Sequence, residues 1–262
     1  MKKDNPVQRS FEREWKHFNP NNKIWGLTNE EREEIFLSDM DIPNIGALEN
    51  KLLLDAGCGT GILDLTLGDR GLKVIGMDFT PSFLMADDMN TNLNVNFIKG
   101  DLNQAPFRDG TFDLIYCSGV LHHTLHPEES FKQLSRLVKN DGKLFIWVYG
   151  GEKLERSIYK RFLQLHVLTS RLPPIIQDIL YTGISVMFQA IQILVRGRSR
   201  MWDQTWAERQ LWVRDILSHR YQSIHSKEGM KGWFGKENFT QLKITDRLKW
   251  GFGMCGRKNL PK

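Results

Sequence analysis

Leu52-Leu53-Leu54-Asp55-Ala56-Gly57-Cys58-Gly59-Thr60-Gly61 is the stretch on which the fold turns. A short apolar run ends in an acid, and glycine then takes every second position. Such a loop turns tightly and lets a ligand approach the backbone with no Cβ in the way. A helix behind it presents free N–H groups and the positive end of its dipole, which suits a carboxylate or phosphate. The acid ahead of the loop offers a partner to a cationic amine. A dinucleotide-binding loop wants its third glycine where Ile62 stands, so the spacing speaks against a nicotinamide enzyme.

Working outward, Val74-Ile75, Val95 to Ile98, Phe112 to Cys117 and Leu144 to Val148 are further short runs of branched and aromatic residues bounded by Gly, Asp or Asn. Helix-length stretches from Pro81 to Met89 and from Pro127 to Val138 lie between them. Pro127-Glu128-Glu129 is a sound helix start, with proline first and acids in the first turn. Apolar, non-alternating strands that alternate with helices predict an α/β fold, its sheet parallel and covered on both faces. Residues 1–50 read as helical: Phe11, Trp15 and Phe18 recur at helix spacing, and an acidic helix runs from Glu30 to Met40. After Tyr149-Gly150-Gly151 the alternation stops. Leu154 to Leu168 reads as one amphipathic helix ended by Pro173-Pro174, and the apolar Ile175 to Val195 follows. Alternation resumes with a helix over Lys227 to Lys236 and strands near Gln241 to Arg247 and Trp250 to Arg257. Four parts result: 1–50, a core over 51–150, a helical cap over 151–220, and a final helix with two strands over 221–262.

Composition narrows the class. With 40% hydrophobic and 26% charged residues the chain is globular, neither disordered nor fibrous. Three scattered cysteines, Cys58, Cys117 and Cys255, exclude a disulfide scaffold and a cysteine-rich zinc module, and suit a reducing compartment. The start has no apolar run behind Lys2-Lys3, so we expect no signal peptide and a cytoplasmic protein. Net charge is +5, unevenly spread: from Arg196 to Lys262 there are 15 Lys and Arg against 6 Asp and Glu. That basic quarter either meets phosphates on RNA, lipid or a nucleotide-linked substrate, or is a solvated face.

Three more acids and loops complete the motif set. Asp78 ends the second strand, where a carboxylate is placed to take both hydroxyls of a ribose. Asp101 lies just beyond the third strand, where an adenine amino group donates. The fourth strand leaves through Cys117-Ser118-Gly119-Val120-Leu121-His122-His123 into the edge of the sheet where ligands of such folds bind.

In this order and spacing, residues 51–149 resemble a class I S-adenosylmethionine-dependent methyltransferase of the broad type 11 kind, which includes the ubiquinone and menaquinone methyltransferases. The resemblance implies a Rossmann-like sheet, mostly parallel with the last strand antiparallel. It implies S-adenosylmethionine as cofactor. Gly57, Cys58, Gly59 and Gly61 would lie against its methionyl part, Asp55 at its amine end, Asp78 with Phe79 at the ribose, Asp101 with Leu102 at the adenine, and Cys117 and Ser118 near the methyl. The family often carries Leu-Glu-His after the fourth strand; here it is Leu121-His122-His123, with the acid replaced.

Methyl transfer asks chiefly for an in-line arrangement, with a base needed only for a hydroxyl or protonated amine. His123 and His122 are the candidate bases, against a plain role in bracing the loop. His126 adds a third histidine but sits at a helix entry, and no metal is expected. In the family the N-terminal helices and the inserted cap close over the cofactor site and the acceptor. Trp15, Tyr149, Tyr221 and His225 are the candidate acceptor contacts, with Phe18 and Trp147 beside them. For residues 175–200 four readings stay open: a packed cap helix, a helix at the membrane surface with Arg196, Arg198 and Arg200 toward head groups, a homodimer interface, or a true membrane span. The expected activity is O- or N-methylation of a small-molecule or lipid-like acceptor. The rivals are a tRNA or RNA methyltransferase, which the basic tail would serve, and a non-catalytic cofactor-binding protein of the same fold.

Overall fold

The computed structural model describes residues 6–15, 27–150, 164–196, 206–246 and 251–259. The chain divides into two compact units, one of Asn29–Ile158 with Ser223–Lys262 and one of Met1–Thr28 with Tyr159–Gln222.

The first unit is built on a seven-stranded sheet. Its elements are α2 (Asn29–Met40), β1 (Leu52–Ala56), α3 (Ile62–Asp69), β2 (Lys73–Asp78), α4 (Leu84–Met89), β3 (Val95–Lys99), β4 (Phe112–Ser118), α5 (Pro127–Leu137), β5 (Val138–Tyr149), α9 (Lys227–Lys236), β6 (Phe239–Thr245) and β7 (Gly251–Lys258). The strand order is β3-β2-β1-β4-β5-β7-β6. Neighbours from β3 to β5 pair in parallel, and β7 runs antiparallel to both β5 and β6. This is the Rossmann-like sheet of class I methyltransferases.

Side-chain alternation sorts the two faces. Leu54, Ala56, Ile115, Cys117, Leu144, Ile146 and Val148 join one apolar cluster with Phe131 and Leu134 of α5 and Met230 and Phe234 of α9. The opposite face takes α2: Phe36 meets Tyr116 edge-on at 5.3 Å between ring centres, and the Tyr116 hydroxyl donates to Asp39 at 2.9 Å. Those contacts place α2 with the sheet, so the expected N-terminal part over 1–50 divides after Thr28.

Boundaries moved where pairing overrode local pattern. β5 starts at Val138, well before the expected Leu144, because Val138 pairs with Phe112 across an irregularity that resumes at Leu114↔Lys143. The helix expected from Pro81 begins only at Leu84, since Thr80 to Phe83 form the turn that closes on Asp78. β6 begins at Phe239, two residues early, with Phe239 opposite Lys258. Two glycines of β7 have a spatial role: a Cβ on Gly251 would stand 2.2 Å from the Trp147 ring, and one on Gly253 2.5 Å from the Phe145 ring. The sheet thereby seats two large rings flat beside its last strand.

The second unit is helical: α1 (Pro6–Trp15), α6 (His166–Thr169), α7 (Pro174–Arg196) and α8 (Trp206–Leu217). Phe11 of α1 stacks on His219 just beyond α8 at 3.9 Å, and Ser10 shares a hydrogen bond with the same ring. Thr169 and Tyr181 both donate to the Leu217 carbonyl, at 2.6 and 2.9 Å, which ties α6 and α7 to the end of α8. The expected helix over Leu154 to Leu168 falls largely on residues 151–163, outside the described ones.

Candidate active site

The glycine loop leaves β1 and is stitched to the end of β2. The N–H groups of Gly57 and Cys58 donate to the Met77 carbonyl at 2.7 and 3.2 Å, and Gly59 N–H donates to Asp78 Oδ2 at 2.9 Å. Ser82 returns a hydroxyl to the Gly59 carbonyl at 2.8 Å. Gly57 has φ +92°, and a Cβ there would lie 2.3 Å from Val120 Cγ2, so the loop after β4 packs directly on this glycine. No other residue fits both its backbone and its space.

Asp78 is heavily engaged. Oδ1 accepts from the Thr80 N–H and hydroxyl, both at 2.8 Å, while Oδ2 holds Gly59. A carboxylate offers about four acceptor positions, so ribose hydroxyls would have to share this group with the loop it braces. Burial raises its pKa and these donors work against the rise.

Asp55 at the end of β1 is nearly fully buried, and the wholly buried Asp64 in the first turn of α3 faces it. Asp64 reaches that position because β2 has Gly76 there: a Cβ on Gly76 would stand 2.6 Å from Asp64 Oδ2. Neither Asp64 oxygen has an N–H or O–H donor; Asp55 and the Cys58 thiol are what it meets. Burial pushes Asp55 up to about 7, against the hydrogen bond with Asp64, and raises Asp64 well above the usual carboxylate range. Two carboxyls in such contact hold one proton between them rather than both ionising. The Cys58 and Cys117 thiols are also pushed well up by burial and the same acids, which keeps them as inert thiols.

This donor set tests the fit of a cofactor. The groups bearing on Asp55, Asp64 and Asp78 are one another, the thiols, the Thr80 hydroxyl and backbone N–H groups, with no side-chain cation on them among the described residues. A buried acidic cluster of this kind repels a pyrophosphate and favours a cationic ligand. S-adenosylmethionine, with its ammonium and sulfonium, fits it.

The remaining expected contacts vary. Asp101 caps the turn Leu102–Gln104, its Oδ1 accepting from Asn103 N–H at 2.9 Å, and Leu102 is buried behind it. Phe79 and Ser118 are partly exposed. Cys117 turns its side chain into the core cluster.

Beyond β4 the turn Leu121–His123 brings both histidines into an aromatic nest. His122 stands 4.1 Å from His123 and 4.1 Å from Tyr149, and Trp147 is 5.9 Å from His122. Both histidines are buried, whereas His126 caps α5 in the open. The His122 carbonyl accepts from Ser223 N–H at 2.8 Å, and His225 N–H donates to the Tyr149 carbonyl at 2.9 Å. Sequence reasoning therefore brought together His122, His123, Tyr149 and His225. It missed Ser223, whose hydroxyl lies 2.7 Å from His225 Nε2, and Trp233, which meets the His225 ring at 5.1 Å. Burial lowers the His225 pKa to about 4. His225, Ser223 and Trp233 line a cavity of about 660 Å³ that continues past Phe131, Leu125 and His126. Tyr221 belongs to the helical unit, as does Trp15, whose side chain lies outside the described ones; Phe18 lies outside the described residues.

Residues 54–146 match the family model described as "Methyltransferase domain". The matched stretch holds the glycine loop, Asp78 and both histidines, and its acidic cluster suits S-adenosylmethionine. Demethylmenaquinone methyltransferase of Renibacterium salmoninarum is 28% identical over 121 residues, 45% of this chain and 51% of that protein. Ubiquinone biosynthesis O-methyltransferase of Coxiella burnetii is 33% identical over 101 residues, 37% of this chain and 43% of that one. The chain thus spans about half the length of the curated relatives it matches. A solved S-adenosylmethionine-dependent methyltransferase from Aquifex aeolicus shares the fold at 16% identity, with a TM-score of 0.54, over 97% of this chain and 99% of that one.

Proposed function

We propose that this chain transfers a methyl group from S-adenosylmethionine to the oxygen or nitrogen of a small, lipid-like acceptor of the quinone-precursor kind. The observation that carries the transfer is the buried cluster of Asp55, Asp64 and Asp78, with no side-chain cation on it among the described residues, around a glycine loop clasped to β2. The observation that favours a flat apolar acceptor is the nest of His122, His123, Trp147 and Tyr149 at the exit of β4 and β5. The two relatives above, named for quinone methylation, agree with it.

The cofactor supplies a methyl on sulfonium, already a good donor, so the protein's task is alignment. Asp55 holds the ammonium end, Asp78 the ribose, and Asp101 with the Leu102 backbone the adenine. The rings of Trp147 and Tyr149 keep the acceptor's plane against the loop after β4 and exclude water. His123 or His122 takes the proton of an acceptor hydroxyl as its oxygen gains the methyl.

The test is transfer of labelled methyl from S-adenosylmethionine into a cell extract, with Asp78→Ala protein as control and RNA, protein, lipid and small-molecule pools separated. Label in the lipid or small-molecule pool, absent from the control, is the expected result. Label confined to RNA would replace this acceptor with a nucleic acid. No label in any pool would leave a cofactor-binding protein without turnover.

A further inference from the structure

The long helix α7 is packed with its polar side inward. Gln177, Tyr181 and Ser185, four residues apart, are 3%, 0% and 2% exposed, and each hydrogen-bonds to a backbone carbonyl of its own unit. On the opposite side Ile175 and Ile179 are 74% and 70% exposed, and Val186 and Met187 are half exposed. At 3.6 residues per turn Ile175, Ile179, Thr182 and Val186 form one outward stripe, with Ile176 and Met187 beside it. That face carries no charge. Asp178 lies off it, paired with Arg214 at 2.7 Å. Just ahead of α7, Leu168 is 70% exposed and extends the apolar surface. A water-facing helix is ordinarily patterned the other way, and contiguous exposed apolar surface marks an interaction site.

The charges in this stretch of sequence say what covers it. Between Arg156 and Trp202 the sequence has seven Lys and Arg and a single acid, Asp178, which is already paired. Arg171 is exposed just ahead of α7, Arg196 is its last residue, and Arg198 and Arg200 follow it in the sequence. A second copy seated here would set like charges against like. An anionic lipid surface accepts both features, apolar side chains below the head groups and guanidinium groups among them. Among the described residues no helix is long and apolar enough to cross a membrane, which suits a helix lying on one.

We propose that the outward face of α7, with Leu168, docks on an anionic bilayer surface. The proposal does not depend on the identity of the methyl acceptor.

The test is sedimentation of the full chain with vesicles of phosphatidylcholine alone and with about 30 mol % phosphatidylglycerol added. The chain should pellet with the anionic vesicles, on the order of tenfold more tightly than with neutral ones, and salt should weaken it. Ile175→Glu/Ile179→Glu/Val186→Glu protein, checked for an unchanged melting transition, should stay in the supernatant. Arg196→Gln/Arg198→Gln/Arg200→Gln protein, altered only outside the packed helix face, should lose the preference for anionic vesicles. Wild type that ignores both vesicles, or apolar-face variants that bind as well as wild type, would overturn the proposal. So would a dimer in light scattering that the Glu variants split and vesicles do not displace, which would assign the face to a second copy. S-adenosylmethionine binding by calorimetry is read separately, so failure here leaves the enzymatic reading standing.

Discussion

Asp64 opens α3 directly against Asp55 at the end of β1, and the two buried carboxyls meet across the space that Gly76 leaves in β2. Such a pair is stable with one proton and strained with none. Asp55 is held near 7 in the folded chain against 3.8 when unfolded. Between those values the folded state keeps a proton that the unfolded state has released, so this group's contribution to stability falls as pH rises from about 4 through about 7. Asp64→Asn removes the neighbouring buried acid, whose own pKa burial also raises, and should flatten the overall decline. We expect the variant to melt roughly 2–6 °C higher than wild type at pH 8, a gain of about 1–2 kcal/mol. Equal melting temperatures from pH 5 to 8 in both proteins would dismiss the shared proton.

The same pair predicts proton-linked cofactor binding. An ammonium beside Asp55 favours its ionised form, so the proton must leave as the ligand enters. Calorimetric titration with S-adenosylmethionine in buffers of different ionisation enthalpy should register release of up to about one proton near pH 6. Affinity should weaken by as much as about tenfold per pH unit below about 7. A binding constant flat from pH 5.5 to 8 would contradict it.

Asp78 has two tasks, clasping Gly59 and receiving the ribose. Asp78→Ala should abolish measurable cofactor binding, a loss on the order of a hundredfold or more. Asp78→Asn keeps one acceptor oxygen and should fall between. Binding that survives the alanine change within a factor of three or so would place the ribose elsewhere.

Gly57→Ala meets two obstacles at once, a φ of +92° and a Cβ 2.3 Å from Val120. We expect a loss of about 2–4 kcal/mol of stability. Adding Val120→Ala should recover the part due to the clash and leave the backbone strain. Full recovery in the double variant, measured by urea unfolding, would show that only the contact matters.

His225 should remain neutral through the physiological range. Its pKa near 4 lies below the ordinary 6.5, so the stability it lends is lost as pH falls from about 6.5 to about 4, opposite in sign to the Asp55 effect. Imidazole resonances assigned by His225→Gln should show no titration above about pH 5. A midpoint near 6.5 would mean that the ring is open to solvent.

How much of this could be read from residues alone follows the range of the interactions. The glycine loop, Asp78 and the order of strands were legible because each is a local pattern: a run, a turn, an acid at a strand end. Asp64 was not, because helix periodicity cannot tell a buried acid from a solvated one. The available signal was Gly76, a glycine inside an apolar strand, which marks a neighbour needing the space. Ser223 and Trp233 were missed because their meeting on the His225 ring depends on the path of a loop, bridged at Gly150↔His225, that no local motif announces. In α7 the apolar run was legible, but which side of the helix faces in was not. Ser185 is buried while Asp178 and Thr182 stay outside, and only the packing of α6 and α8 decides which side is in.

The division of the chain bears on how it is made. The helical unit joins Met1–Thr28 to Tyr159–Gln222, and the sheet unit joins Asn29–Ile158 to Ser223–Lys262, so the two are interleaved along the polypeptide. On a ribosome neither can be completed in isolation as the chain emerges: α1 waits for α8, and β5 waits for β7. Long-range pairing of this kind slows folding and leaves surfaces open in the interval. The emerging sheet edge and the apolar face of α7 are thus what chaperones would meet first.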